Sequence, residues 1–289
     1  MTASPLEPAT PAPLPPPLAA GDPPLAFLVD YDGTIALTDV SDTVMAEHVT
    51  AEWEALAAEY DAGFTGSRQL MEREMAMLRA DEGALLATAA AQPHDMGFVD
   101  LVQRAREARI PVEIVSDGFG FFIEPALVAL GVGGLPVVSA RTTFTGDRAT
   151  IEFPNGHPTC FVCGTCKRER VFAHQAAGRA VVFVGNGESD RYAAGYADVV
   201  FAKDALVTIC RENGWPFVRW AEFREIEAWL AETLTTWSGH PTTLAELGPR
   251  RRSYFCGPEV WGEGRWDPPA PAARPAVASV DLDEGVAPG

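Results

Sequence analysis

The 289-residue chain carries 22 Lys+Arg against 40 Asp+Glu, a formal charge of −18, with 47% apolar residues and five cysteines. So acidic a chain lacks the basic face that binds nucleic-acid phosphates or anionic lipid. No apolar run reaches the roughly 18 residues of a membrane span, no basic start and apolar core mark a secretory signal, and the cysteines are too few for a disulfide scaffold. A cytoplasmic globular protein is expected, with no nucleic-acid or membrane partner; its oligomeric state stays open.

Residues 1–24 are rich in Pro and Ala and include a Pro-Leu-Pro-Pro-Pro-Leu stretch. Proline fixes φ and removes an amide donor, so a disordered or polyproline-II leader is expected there. The apolar run Leu25–Val29, ended by Asp30, predicts a buried strand. Residues 41–95 then read as helices throughout, with Trp53, Leu56 and Tyr60 on one face and Met71, Met75 and Leu78 on another. Phe98, Leu101, Val102 and Ala105 predict a further helix, and the run Ile110–Val115, ended by Ser116, a second strand. Thr142–Phe153 centres on Gly146-Asp147 and predicts a β-hairpin. A helix over Lys167–Gly178 precedes a third strand at Ala180–Val184, and a fourth lies at Val199–Phe201. The order predicts an α/β fold: an open parallel, Rossmann-like sheet with helices on both faces and a helical cap inserted after the first strand. The core is then 25–40 with 96–235, the cap 41–95, a Trp-bearing extension 236–266 (Trp237, Trp261, Trp266) and an acidic disordered tail 267–289.

In open α/β sheets the chemistry lies beyond the carboxyl ends of the strands. Those ends carry Asp30-Tyr31-Asp32-Gly33-Thr34, Ser116-Asp117-Gly118 and Gly185-Asn186-Gly187-Glu188-Ser189-Asp190. Lys167 opens the helix before the third strand and is one of only two lysines, with Lys203, in a chain that otherwise uses Arg. Two carboxylates at i and i+2 on an extended backbone point to one side, as a nucleophile and its acid–base partner must.

These four elements, in this order, resemble the motifs of the haloacid dehalogenase superfamily, over about residues 25–235. The insertion point is that of the phosphoserine-phosphatase-like branch. Three further stretches resemble the 2-hydroxy-3-keto-5-methylthiopentenyl-1-phosphate phosphatases of methionine salvage and their relatives: Val115 to Phe122, the Phe153-Pro154 … Lys167 segment and the Ser189-Asp190-Arg191 … Asp204 segment. The resemblance implies a Mg²⁺-dependent phosphatase that hydrolyses a small phosphorylated metabolite through an aspartyl-phosphate on Asp30, with Asp32 as general acid and then base. It implies that Gly33, Thr34, Ser116, Asp117 and Lys167 bind phosphate. Asp30, the Asp32 carbonyl, Asn186 and Asp190 are implied around the metal. Asn186 departs from the family pattern, which has an acid there, so a weakened metal site is expected; Glu188 is a candidate to compensate. The resemblance also places Asp39 and Arg73 toward the substrate, with Arg68 a rival for the second role. The plainer alternatives are that Asp39 caps the next helix and that Arg73 is a solvated charge. A phosphotransferase, a non-catalytic binding module and a zinc-bearing interaction protein remain as other functions.

His157, Cys160, Cys163 and Cys166 are spaced three apart. They read as a structural Zn²⁺ site, as an iron–sulfur ligand set, or as buried thiols supporting Lys167.

Overall fold

A computed structural model describes residues 9–49 and 52–236. The expected extension beyond Thr236 and the tail 267–289 lie outside the described residues, as do residues 1–8 of the leader.

The first strand, β1 (Leu25–Val29), is buried at all five positions. Four helices follow it: α1 (Val40–His48), α2 (Trp53–Asp61), α3 (Ser67–Met77) and α4 (Glu82–Ala90). The chain returns through α5 (Gly97–Glu107) to β2 (Val112–Val115), α6 (Ile123–Ala129) and β3 (Val137–Val138). A hairpin of β4 (Arg141–Thr145) and β5 (Arg148–Glu152) turns at Gly146-Asp147, as expected from its turn residues. After a loop come α7 (Lys167–Ala176), β6 (Ala180–Gly185), a 3₁₀ turn at Glu188–Asp190, α8 (Arg191–Ala194), β7 (Val199–Ala202), α9 (Asp204–Asn213), β8 (Val218–Arg219) and α10 (Phe223–Thr236).

The six-stranded sheet runs β3-β2-β1-β6-β7-β8, and every pairing in it is parallel. The four strands expected from apolar runs are its centre. The two edges, β3 and β8, are two residues long and escape any periodicity argument. From β1 the chain builds outward on one side to β3 and then starts again beside β1 at β6. The crevice between the ends of β1 and β6 is therefore the switch point where such sheets bind ligands.

Period-2 alternation sends β1 into two cores. Leu25, Phe27 and Val29 join one with Phe98, Leu101, Phe223 and Ile226, where Phe27 meets Trp229 edge-on at 6.4 Å. Leu28 joins the other with Val171, Val181, Phe183, Leu206 and Ile209. Burying each such side chain stabilises the fold by about 1.5–3 kcal/mol. The connections entering and leaving α1–α4 run side by side. Ala36 bridges His94, Leu37 N–H donates to the Pro93 carbonyl at 2.9 Å, and Asp95 N–H donates to that of Ile35 at 3.0 Å. No helix among the described residues is long and apolar enough to cross a membrane.

The leader makes contacts that its composition does not announce. Residues 9–24 form no helix and join no strand, yet they are tied to the core. Arg170 Nη2 donates to the Pro13 carbonyl at 3.1 Å, Arg179 Nη1 to that of Pro16 at 2.6 Å, and Leu18 N–H to that of Ala177 at 2.8 Å. Proline loses its donor but keeps its acceptor, so a proline-rich segment can still be held by arginines.

Candidate active site

Asp30 is the first residue past β1, and its N–H still pairs with the Val184 carbonyl of β6 at 3.0 Å. The carboxylate is 5% exposed. Its Oδ1 accepts from Lys167 Nζ at 2.6 Å and its Oδ2 from the Thr34 hydroxyl at 3.3 Å. Burial and the negative charge of Asp190 push Asp30 up to about 7, against the pull of Lys167. Lys167 opens α7 and is 1% exposed. Its ammonium also donates to Asp190 Oδ1 at 2.6 Å and Ser189 Oγ at 3.1 Å. Burial alone would lower its pKa, but the two carboxylates outweigh that and raise it, so the site keeps a fixed positive charge.

Asp190 uses its other oxygen, Oδ2, to accept the N–H groups of Asn186 at 2.8 Å and Gly187 at 2.9 Å. It holds the β6 loop and aims Lys167. Glu188 pairs with Arg191.

Asp32 projects to the same side as Asp30. Tyr31 between them turns into the core, its hydroxyl 2.9 Å from His94 Nε2. Asp32 Oδ1 accepts from Val40 N–H at 2.9 Å. Burial first, then the charges of Asp39 and Asp30, raise Asp32 well above the usual carboxylate range, which favours its acid form. Gly33 has φ +67°, and a Cβ there would sit 2.2 Å from Asn186 Nδ2, so only glycine lets the β1 and β6 loops touch. Gly33 N–H donates to the Thr38 carbonyl at 2.9 Å and Thr34 N–H to that of Tyr31 at 3.2 Å. The Thr34 hydroxyl instead sits between Asp30 and Asn186 Oδ1, 3.0 Å from the latter.

Ser116, at the end of β2, is fully buried, and its Oγ accepts from Gly118 N–H at 3.1 Å, leaving its proton to donate. A Cβ at Gly118 would lie 2.5 Å from Asp32 Oδ2, 2.9 Å from Ser41 Oγ and 3.3 Å from Ser116 Oγ. Three oxygens from three segments thus converge, and the buried Ser41 hydroxyl has no partner among the described residues.

Other expected residues have partners away from Lys167. Asp117 turns its carboxylate to the Ser67 hydroxyl and to Thr165 N–H at 2.8 Å. Arg73 pairs with Glu59 at 2.6 Å on the outside of α2 and α3, the solvated reading of that residue. Arg68 lies over the Phe153 ring, its guanidinium carbon 4.9 Å from the centroid. Asp39 caps α1, accepting Asp42 N–H at 2.9 Å. Its pKa is raised by desolvation, and Asp42 and Glu74 are pushed up to about 7 and 8 by desolvation and by neighbouring acids. Glu74 is buried, and Tyr60 is raised by burial and by Asp117. Ser41, Tyr60 and Glu74 belong to none of the motifs.

The zinc reading fails. Among the described residues no group of three or more His, Cys, Asp and Glu is arranged to hold a metal ion. Cys160, Cys163 and Cys166 are buried in the loop before α7, while the His157 ring accepts from Thr159 N–H at 3.2 Å. Four ligands within ten residues would have to wrap tightly; the loop instead packs against α3. The oxygen donors at the sheet end do suit a hard cation. The Asp30 carboxylate and the Asn186 amide oxygen both lie at the Thr34 hydroxyl.

Comparison with known proteins agrees. Residues 27–195 match the family of haloacid dehalogenase-like hydrolases. A Brevibacillus brevis protein named 2-hydroxy-3-keto-5-methylthiopentenyl-1-phosphate phosphatase is 29% identical over 70% of this chain and 93% of its own. A Lysinibacillus sphaericus protein of the same name is 29% identical over 74% and 97%. Among solved structures, a phospho-aspartyl intermediate analogue of phosphoserine phosphatase aligns with TM-score 0.55 and 18% identity over 72% of this chain and 99% of that one. An unliganded probable phosphoserine phosphatase from Vibrio cholerae aligns with TM-score 0.56 and 17% identity over 76% and 69%. The two structures share the fold, and the matched segment takes in the ends of β1, β2 and β6 together with Lys167: the chain belongs to the haloacid dehalogenase-like hydrolases.

Proposed function

We propose that this hydrolase cleaves the phosphate monoester of a small metabolite in the cytoplasm, by transfer to Asp30 and then to water. The observation that carries the reading is the pair Asp30–Lys167 at 2.6 Å, buried at the switch point of the sheet with Asp32 two residues on. Asp30 attacks phosphorus in line, and the ester oxygen leaves with a proton from Asp32. Asp32, now ionised, takes a proton from the water that opens the acyl phosphate. Lys167 neutralises charge on the phosphoryl oxygens, Ser116 donates its free proton to one of them, and the Thr34 hydroxyl fixes the Asp30 rotamer. Asp190 keeps Lys167 in place. Phosphatases of this superfamily generally use Mg²⁺. Here it would be held by the Asp30 carboxylate, the Asp32 carbonyl and Asn186, and it would supply further charge neutralisation. Helices α1–α4 are the cap, and Asp39, Asp42, Tyr60 and Glu74 are its approach to the leaving group.

The test is phosphate release from a panel of phosphorylated metabolites with Mg²⁺, including 2-hydroxy-3-keto-5-methylthiopentenyl-1-phosphate, with Asp30→Asn as blank. Turnover by the natural chain and none by the variant is expected; equal turnover by both overturns the reading.

A further inference from the structure

Asp117 stands next to Ser116, where an anionic substrate would meet a second negative charge. A carboxylate there opposes binding unless something else holds and screens it. Its two oxygens are held by different segments: Oδ2 accepts the Ser67 hydroxyl, and Oδ1 accepts Thr165 N–H at 2.8 Å. Ser67 is the first residue of α3. Thr165 lies two residues before Lys167, and its carbonyl accepts Lys167 N–H at 3.1 Å. One buried carboxylate therefore ties the β2 loop to the start of α3 and to the loop that delivers the ammonium.

Independent contacts press the same two segments together. Arg68 N–H donates to the Val162 carbonyl at 3.2 Å, and Ser67 Oγ lies 3.3 Å from that oxygen. A Cβ at Gly66 would be 2.3 Å from it, so a larger residue cannot enter. A Cβ at Gly164 would be 2.5 Å from Met71 Cε. The Arg68 guanidinium lies over Phe153 and Phe161. The cysteine loop is thus the seat on which α3 stands. Burial pushes Asp117 up to about 6, and the bonds from Ser67 and Thr165, with Lys167, pull against that rise.

We propose that Asp117 is a positioning residue that fastens α3 to the loop carrying Lys167, so that one carboxylate both seats the cap and helps place the ammonium on Asp30. This rests on the reading of Asp30 and Lys167 as reacting groups. It deepens that reading by assigning Asp117, Ser67 and Thr165 a task that no phosphate contact explains.

The test is steady-state hydrolysis of para-nitrophenyl phosphate with Mg²⁺ by Asp117→Ala, Ser67→Ala, the double variant and Asp117→Asn, with folding followed by thermal unfolding. Asp117→Ala is expected to lower kcat about tenfold or more, because Lys167 loses its placement. Ser67→Ala cuts only the cap arm, so KM is expected to rise severalfold with kcat within about twofold. The double variant is expected to match Asp117→Ala alone, since both arms end on one carboxylate. Asp117→Asn keeps an acceptor for Thr165 and can donate to the Ser67 oxygen, so it is expected to recover most of kcat, which a loss of fold alone would not do. Natural kcat in Asp117→Ala, or effects of the two single variants that simply multiply, overturns the proposal. Should Asp117→Ala not fold, an unchanged KM in Ser67→Ala overturns it and a raised KM with recovery in Asp117→Asn upholds it. Asp30→Asn in the same assay separates the two levels. Turnover there sinks the reaction itself, whereas a dead Asp30→Asn beside an unaffected Asp117→Ala sinks only the positioning role.

Discussion

Helix α7 carries buried cations at Lys167, Arg168 and Arg170, and the first and last of these, one turn apart, differ in kind. Lys167 faces two carboxylates, Asp30 and Asp190, at 2.6 Å each. Arg170 meets one, Glu113, with Nε and Nη2 each 2.6 Å from a carboxylate oxygen, and His174 adds a contact at 3.4 Å. The Arg170 pair is balanced and closed: the planar fork matches its partner and also takes up the Pro13 carbonyl. The Lys167 cluster is unbalanced, with more acid than base and a compact charge that can address several oxygens at once. The first arrangement holds a strand to a helix; the second holds a compact charge between two acids at the end of the sheet.

The largest expected effect lies on the Lys167 side. Lys167→Met should lower phosphate release about a thousandfold or more, and Lys167→Arg should recover little of it, because a flat fork cannot serve Asp30, Asp190 and Ser189 from one point. Recovery of normal turnover by the arginine variant would show that charge alone matters. On the other side, Arg170→Ala strands a buried Glu113 and is expected to cost about 3–5 kcal/mol in urea unfolding while kcat per folded molecule stays unchanged. Replacing Arg170 and Glu113 together with apolar residues should restore most of that stability.

The Glu113 pair also has a pH signature. Burial pushes Glu113 up, but hydrogen bonds from His174 and Arg170 and their charges outweigh it and leave its pKa below the ordinary 4.5. Its contribution is therefore complete above about pH 4.5 and is lost as pH falls through the lower folded value. Glu113→Gln should flatten the acid limb of a urea-midpoint curve; an unchanged limb would remove Glu113 from the account. A smaller effect is expected at Asn186. Asn186→Asp restores a carboxylate and should lower the Mg²⁺ concentration for half-maximal activity by about tenfold, equivalent to about 1.4 kcal/mol. The smallest is at Arg73, whose exposed pair with Glu59 spans α2 and α3. Arg73→Ala should leave KM unchanged and shift stability by less than about 1 kcal/mol.

Much of this contrast was legible in the residues. Continuous apolar runs such as Leu25–Val29 mark strands buried on both faces, and the acids, Ser116 and Lys167 sit where those runs end. What stayed hidden depends on distant partners. Asp117 finds Ser67 50 positions away and Thr165 48 positions away, contacts that its place beside Ser116 does not reveal. Arg73 becomes a surface residue only because α2 brings Glu59 beside α3. Glu74 and Tyr60 look like ordinary helix residues until the helices are docked. The contacts of the leader are not visible in its prolines, because the arginines that hold it lie over 150 positions on, at 170 and 179. Lys203, the other lysine, has its ammonium 4.3 Å from the Trp220 centroid, a stacking that its position after a strand end did not announce.

The clasp between Ala36 and His94 has a consequence in degrees of freedom. A body hung on one strand can swing, twist and slide; one hung on two strands that hydrogen-bond to each other keeps a single soft rotation. Helices α1–α4 are attached in this second way, through Ala36–His94, Leu37–Pro93 and Ile35–Asp95. A ligand that needs these helices in one orientation therefore has fewer motions to freeze, and loses less of its binding free energy to ordering.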